Sequence, residues 1–471
     1  MTGGAAAADF NGDGFTDIFF VNGAEIPSLQ KTGPKFWNRL YRNDAGKGFT
    51  DITEAAGLKG EGYAMGAAAA DFNNDGLPDL FVAAVNGASR LYKNEKGKFR
   101  EVAIPPVPGW AVAAGWFDYD RDGHLDLLIV KYLAWNPATE PSCVEPVPVY
   151  CHPREFAGLP NQLFRNNGDG TFTDVSQQTG IAKYTGKGMS VAFGDIDNDG
   201  YPDAFVTNDT VPNFLLHNRN GKTFEDIAVR AGVAVNDDGR ALSGMGVDFR
   251  DVDNDGRDDL FYTALINETF PLLKNLGKLL FQDITYASRV GAATLRRSGW
   301  GAGIYDFDND GRKDLFAAGG DVQSNAEQYS SRASRQPNIL LWNRAEGKFE
   351  PQDIGTPALH RGTAFADFDN DGAIDAVITR LGETPFYWKN TPKNHWIGFR
   401  TNKLGTRVSI DGEQYNHATA ASGYASSSDP RIHFGLGSKT AVKEVTITWP
   451  SGKVQKLANP AIDRYLDIAE P

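Results

Sequence analysis

The chain has 471 residues, 60 acidic against 47 basic side chains and a formal net charge of −13. That length exceeds one compact core and suits repeated units plus an extra module. The acidic balance, without a basic tract, argues against nucleic acid as a partner, and the absence of an apolar run of about 18 residues leaves no membrane span to expect.

One nine-residue acidic pattern opens the chain and then returns. In order it reads Asp9, Asn11, Asp13, Gly14, Asp17; Asp71, Asn73, Asp75, Gly76, Asp79; Asp118, Asp120, Asp122, Gly123, Asp126; and Asp195, Asp197, Asp199, Gly200, Asp203. It continues with Asp251, Asp253, Asp255, Gly256, Asp259; Asp306, Asp308, Asp310, Gly311, Asp314; and Asp367, Asp369, Asp371, Gly372, Asp375, seven copies in all. Oxygen-bearing side chains fall at positions 1, 3, 5 and 9, and a turn at the glycine of position 6 folds them toward one point. Carboxylates within ~4 Å repel by about 4 kcal/mol per pair at an effective dielectric near 20. Such a loop calls for a cation, and hard oxygen donors on a flexible loop favour Ca²⁺ over Mg²⁺. The carbonyl at position 7 (Phe15, Leu77, His124, Tyr201, Arg257, Arg312, Ala373) would complete each cage. Asn11 and Asn73 carry no charge, so the first two loops are expected to bind more weakly. An EF-hand is excluded, because position 12 is Phe20, Val82, Ile129, Val206, Tyr262, Ala317 and Ile378, none of which can ligate.

Each unit follows one grammar. A small-residue strand such as Ala5-Ala6-Ala7-Ala8 leads into the acidic loop, and an unbroken apolar strand such as Leu80-Phe81-Val82-Ala83 follows, as burial on both faces requires. A hairpin of two more strands closes the unit, with Asn and Gly read as its turn residues. Intervals mostly near sixty residues suit propeller blades. The expectation is an all-β chain: a seven-bladed β-propeller over residues 1–392 with its metal loops on one face, then a small β-sandwich over 393–471. Blade seven lacks an outer strand, which the segment 395–400 either supplies or uses to open the next unit; a truncated N-terminus is the other source.

Cys143 and Cys151 lie within one proline-rich loop and are read as a local disulfide, which fits an oxidising compartment. Zinc would need more ligands than His152 alone. The chain begins inside its first repeat, so a leader is expected to have been removed.

The acidic loops resemble the FG-GAP/VCBS repeats of integrin-type propellers. Gly405-Thr406-Arg407-Val408, Ser422-Gly423-Tyr424, His433-Phe434-Gly435-Leu436-Gly437 and Trp449-Pro450-Ser451-Gly452 resemble the ASPIC/UnbV domain. Together they resemble the CRTAC1-like secreted proteins, which implies calcium loops, a secreted or periplasmic location, and a binding or adhesion role with no defined ligand; the expected partner is a carbohydrate, a matrix component, an extracellular protein or a small molecule.

Insertions at residues 22–38, 131–160 and 320–337 fall opposite the metal face and should deepen a ligand mouth there. The mouth is assigned Lys131, Asn208, Asp209, Asn267, Glu268, Arg297, Trp300, His360 and Arg361. A rival reading is a propeller enzyme (lyase, isomerase, or cyclising or alkylating catalyst) pairing His360 with Asp209 or Glu268.

Overall fold

The protein is described by a computed structural model covering residues 3–144, 146–344 and 347–471. Seven sheets stand around an axis, six of four strands and one of three. Their innermost strands are Ala5–Ala8, Ala64–Ala70, Ala111–Phe117, Gly188–Gly194, Val247–Arg250, Gly299–Tyr305 and His360–Ala366. Each packs on the next, and the last packs on the first, which closes the ring. Glycine and alanine permit that approach: a Cβ added to Gly246 would lie 2.2 Å from the Trp300 carbonyl oxygen. The second strands, such as Asp79–Ala84 and Asp126–Lys131, are buried along their whole length, as their unbroken apolar runs require.

Two further sheets follow. One holds Ile432–Gly437, His395–Arg400 and Tyr465–Asp467; the other holds Gln414–His417, Arg407–Ile410, Glu444–Thr448 and Val454–Ala458. They share an apolar core that includes Ile397, Phe399, Val408, Phe434, Val445 and Trp449. Residues 395–400 therefore open this unit rather than complete blade seven, which keeps three strands. Two side chains steer the chain away: Asn390 Nδ2 donates to the Phe307 carbonyl (2.6 Å) and Asn394 Nδ2 to that of Asp308 (2.8 Å).

The channel that the sequence leaves to converging inner strands is filled by residues 419–429, a small-residue stretch reaching in from the C-terminal unit. Inner strands present an unpaired edge to the axis, and this segment satisfies it. Ser427 N–H donates to the Ala5 carbonyl (2.8 Å), Ala67 N–H to that of Ala425 (3.1 Å), and Gly423 N–H to that of Val247 (2.9 Å). Serine hydroxyls accept from Ala5, Ala69 and Phe365 N–H at 3.1–3.2 Å. Gly4 makes room: a Cβ there would sit 2.1 Å from the Ala425 carbonyl oxygen.

Candidate metal loops and ligand mouth

All seven acidic loops share one geometry. The position-6 glycine has φ between +85° and +94°, the left-handed region that favours glycine. Its N–H donates to the position-1 carboxylate at 2.7–3.0 Å. The position-7 residues turn their N–H toward the position-5 carboxylate at 2.8–3.2 Å.

The position-9 aspartates are buried and bind backbone at both oxygens. Oδ2 of Asp17 accepts from Phe10 N–H (3.1 Å) and Oδ1 from Asn43 N–H (2.7 Å), a pattern each blade repeats. Burial, with repulsion from the other loop carboxylates, pushes Asp17, Asp79 and Asp375 up to about 7 and Asp126 to about 9. Burial also raises Asp203, Asp259 and Asp314 well above the carboxylate range.

Ligand oxygens of Asp118, Asp120 and Asp122, and of Asp306, Asp308 and Asp314, lie within 4.8 Å of one another. Oδ1 of Asp308 and Oδ1 of Asp369 are buried without a hydrogen-bond partner. An all-oxygen donor set with orphaned carboxylate oxygens fits a hard divalent cation. Third-strand basic groups reach the same loops, as with Lys93 and Asp75 (3.2 Å) or Arg344 and Asp308 (3.5 Å), and offset part of the charge.

The asparagines at the ends of the third strands hold the hairpin turn in five blades, Oδ1 accepting from a turn glycine N–H, and do a second thing besides. Asn43, Asn94, Asn166, Asn218, Asn275 and Asn390 send Nδ2 to the position-2 carbonyl of the preceding blade's loop, at 2.6–3.5 Å. Their own N–H donates to the position-9 aspartate at 2.7–2.8 Å. Asn43 reaches Phe368 and so ties the last blade to the first. The recurrent Asn at the end of each third strand was the available signal.

Opposite the loops lies a mouth cavity of about 490 Å³, lined by Tyr132, Asp209, Glu268, Trp300, Asp321 and Arg332 among others. Cys143 and Cys151 are bonded. Their loop docks across the mouth on the sixth blade: Tyr150 N–H donates to Gln323 Oε1 (2.9 Å) and Asn325 Nδ2 to the Pro148 carbonyl (2.8 Å). Tyr132 Oη donates to Asp209 Oδ2 (2.6 Å), and Ser243 N–H donates to Glu268 Oε2 (2.9 Å). Burial pushes both carboxyls, Asp209 and Glu268, above their ordinary values. Asp321 is buried, and its Oδ2 has no hydrogen-bond partner.

Of the residues assigned to the mouth, Asp209, Glu268 and Trp300 line this cavity. The others are placed elsewhere. His360 is fully buried, with Nδ1 2.9 Å from the Gly319 carbonyl oxygen, and burial lowers it to about 4; it is not on the lining that holds Asp209 and Glu268. Arg361 lies beneath the mouth, 3.9 Å from the Trp300 ring, and donates to the carbonyls of His360 and Asp321. Arg297 turns outward to Asp353 (2.7 Å). Asn208 fixes the backbone of Lys187, Lys131 is buried with Nζ 3.3 Å from Gln162 Oε1, and Asn267 is an exposed turn residue with φ 71°. Inner-strand starts read as mouth residues thus become packing, because the plug occupies the axis. Tyr132, Ser243 and Arg332 were missed for want of any local motif.

The molecule is a β-propeller whose blades carry a glycine-hinged acidic loop at their first turn, with a C-terminal unit seated on the loop face. The chain belongs to the FG-GAP-like repeat family, whose profile matches residues 9–82, 71–129, 158–206, 198–262 and 306–378, and the ASPIC and UnbV profile matches 399–471. It is 28% identical over 453 residues to cartilage acidic protein 1 of Xenopus tropicalis, covering 87% of this chain and 65% of that protein. The human cartilage acidic protein 1 is 26% identical, with 87% of this chain and 64% of that protein covered. The chain thus spans slightly under two thirds of those relatives. A solved Agrocybe aegerita lectin that recognises non-reducing terminal N-acetylglucosamine aligns at a TM-score of 0.45 and 15% identity, covering 81% of this chain and 86% of the lectin. Among the described residues no helix is long and apolar enough to cross a membrane.

Proposed function

We propose that this chain is an extracytoplasmic binding module, rigidified by up to seven calcium ions, that takes a carbohydrate ligand in the mouth opposite the metal loops. Residues 1–392 form the propeller in this reading, and 393–471 form the unit that plugs it. The observation that carries it is a 490 Å³ cavity walled by Asp209, Glu268 and Asp321 beside Tyr132 and Trp300. Carboxylates with unfilled acceptor capacity suit sugar hydroxyls, and Tyr150, exposed on the same lining, offers an aromatic face to the apolar side of a pyranose ring. Calcium, when bound, would neutralise the loop carboxylates held at positions 1, 3, 5 and 9, while the plug and the interblade asparagines hold the mouth's walls in place. Matrix or protein ligands bearing such sugars are the natural partners, and the disulfide suits a secreted or periplasmic setting.

A glycan array followed by calorimetry on hits tests this. Glu268→Gln and Tyr132→Phe should each weaken binding by about tenfold, the worth of one charge-assisted hydrogen bond. Glycan binding unaffected by both variants would refute the assignment of the mouth.

One observation favours an enzyme as the second reading: Asp209 and Glu268 line one cavity and both have raised proton affinity, which makes either a candidate general acid. Mass spectrometry of bound glycans separates the two. Cleaved or isomerised product supports catalysis, and intact ligand supports binding.

A further inference from the structure

A second cavity, of about 140 Å³, lies between the loop face of the third and fourth blades and the C-terminal unit. Its walls are apolar, with Trp116, Phe117, Phe193 and Trp449 on its lining. One buried imidazole faces it. His417 is 6% exposed; its Nδ1 faces Asp258 Oδ1 at 3.4 Å, and its Nε2 has no hydrogen-bond partner. Asp258 is itself buried and stands at position 8 of the fifth loop, where the other loops carry Thr16, Pro78, Leu125, Pro202, Lys313 and Ile374. This pairing orients the ring and leaves the Nε2 edge uncommitted.

The charged groups on the lining sort into two sets. Of the three carboxylates, Asp118 and Asp195 already accept from the N–H groups of their own loops, and Asp258 faces the His417 ring. Arg407 is anchored by Asn198 Oδ1 (2.5 Å) and the Gly256 carbonyl (3.1 Å), and Arg121 also lines the space. What remains for a ligand is the spare N–H capacity of Arg407, which also lies 3.9 Å from Asp195, the Arg121 guanidinium over the Tyr201 ring, and the Nε2 edge of His417, a donor when Nδ1 also carries a proton, all set in an aromatic box. An apolar cavity of about 150 Å³ holds one benzene ring. We propose that this interdomain cavity is a binding site for a small single-ring aromatic carboxylate, its ring against the aromatic walls and its carboxylate toward His417 and Arg407. The site straddles the two units, so it exists only while the C-terminal unit is docked. It is separate from the mouth and does not depend on the mouth's function.

Titration calorimetry of the full chain in saturating calcium, with benzoate as the probe, tests the proposal. Benzyl alcohol and cyclohexanecarboxylate serve as comparison compounds. Saturable binding of benzoate at one site is expected, with both comparison compounds weaker by about tenfold for want of the charge or the flat ring. His417→Gln should weaken benzoate by about tenfold. Thr448 is exposed at the cavity rim, so Thr448→Trp blocks entry without disturbing a core and should abolish binding even if His417→Gln fails to fold. Glu268→Gln, in the mouth, should leave benzoate binding unchanged. Absence of saturable benzoate binding, binding undiminished in Thr448→Trp, or equal affinity for benzyl alcohol would each overturn the proposal.

Discussion

Asn94→Ala gives the sharpest structural test of how the ring is held. Asn94 is 1% exposed. Its Nδ2 donates to the Phe10 carbonyl of the preceding blade (2.7 Å) and to the Pro78 carbonyl (2.9 Å), while its Oδ1 accepts from Gly97 N–H (2.8 Å). Truncation removes three hydrogen bonds, each worth about 1 kcal/mol net, and leaves their partners short of solvent. The sum is about 3 kcal/mol, a large share of a domain's marginal stability. Asn94→Asp should cost more, because it sets a carboxylate against two carbonyl oxygens and near Asp79, whose carboxylate accepts from the Asn94 N–H. Denaturant unfolding in saturating calcium would report the loss as a shifted midpoint at constant slope. The exposed Asn167→Ala is the control. A loss below about 0.5 kcal/mol for Asn94→Ala, the range of ordinary surface substitutions, would refute the claim that these asparagines bind blade to blade.

Three other outcomes follow from the structure. Calcium titration by calorimetry should find the loops of Asn11 and Asn73 weakest, and Asn11→Asp or Asn73→Asp should tighten the altered site. Tyr424→Ala, which empties a fully buried position 4.9 Å from the Trp300 ring, should destabilise by about 3–5 kcal/mol in denaturant melts and loosen the mouth floor. Asp209 and Glu268 have folded values above 3.8 and 4.5. Their contribution to stability is therefore fully present below those values and lost as pH rises through the higher folded ones. Asp209→Asn should flatten that part of the stability profile measured from pH 4 upward.

The ring and its loops were legible because they repeat. Oxygen-bearing side chains at positions 1, 3, 5 and 9 and a glycine at position 6 fix a local geometry that needs no tertiary information, and unbroken apolar strands such as Leu80–Ala83 report burial directly. The plug was not legible. Within residues 419–429 the sequence offers only Ser422-Gly423-Tyr424 as a family motif with no location attached, and the unpaired edges of inner strands distant in sequence are what give the segment a place. That omission also misplaced His360 and Arg361, which lie on an inner strand packed about a filled axis rather than an open mouth. Asp258 left a trace, being the one acidic residue at position 8 of any loop, but His417, its partner, lies 159 residues away in numbering with no motif around it.

Chelation measures the central claim most directly. Each loop filled at one hundred times its dissociation constant would add about 2.7 kcal/mol to the folded state, so seven loops together should dominate stability. Thermal melts of the full chain in millimolar calcium and in excess EGTA should differ by tens of degrees, with amide exchange rising first in the acidic loops. An identical melting temperature and unchanged exchange under both conditions would contradict the account.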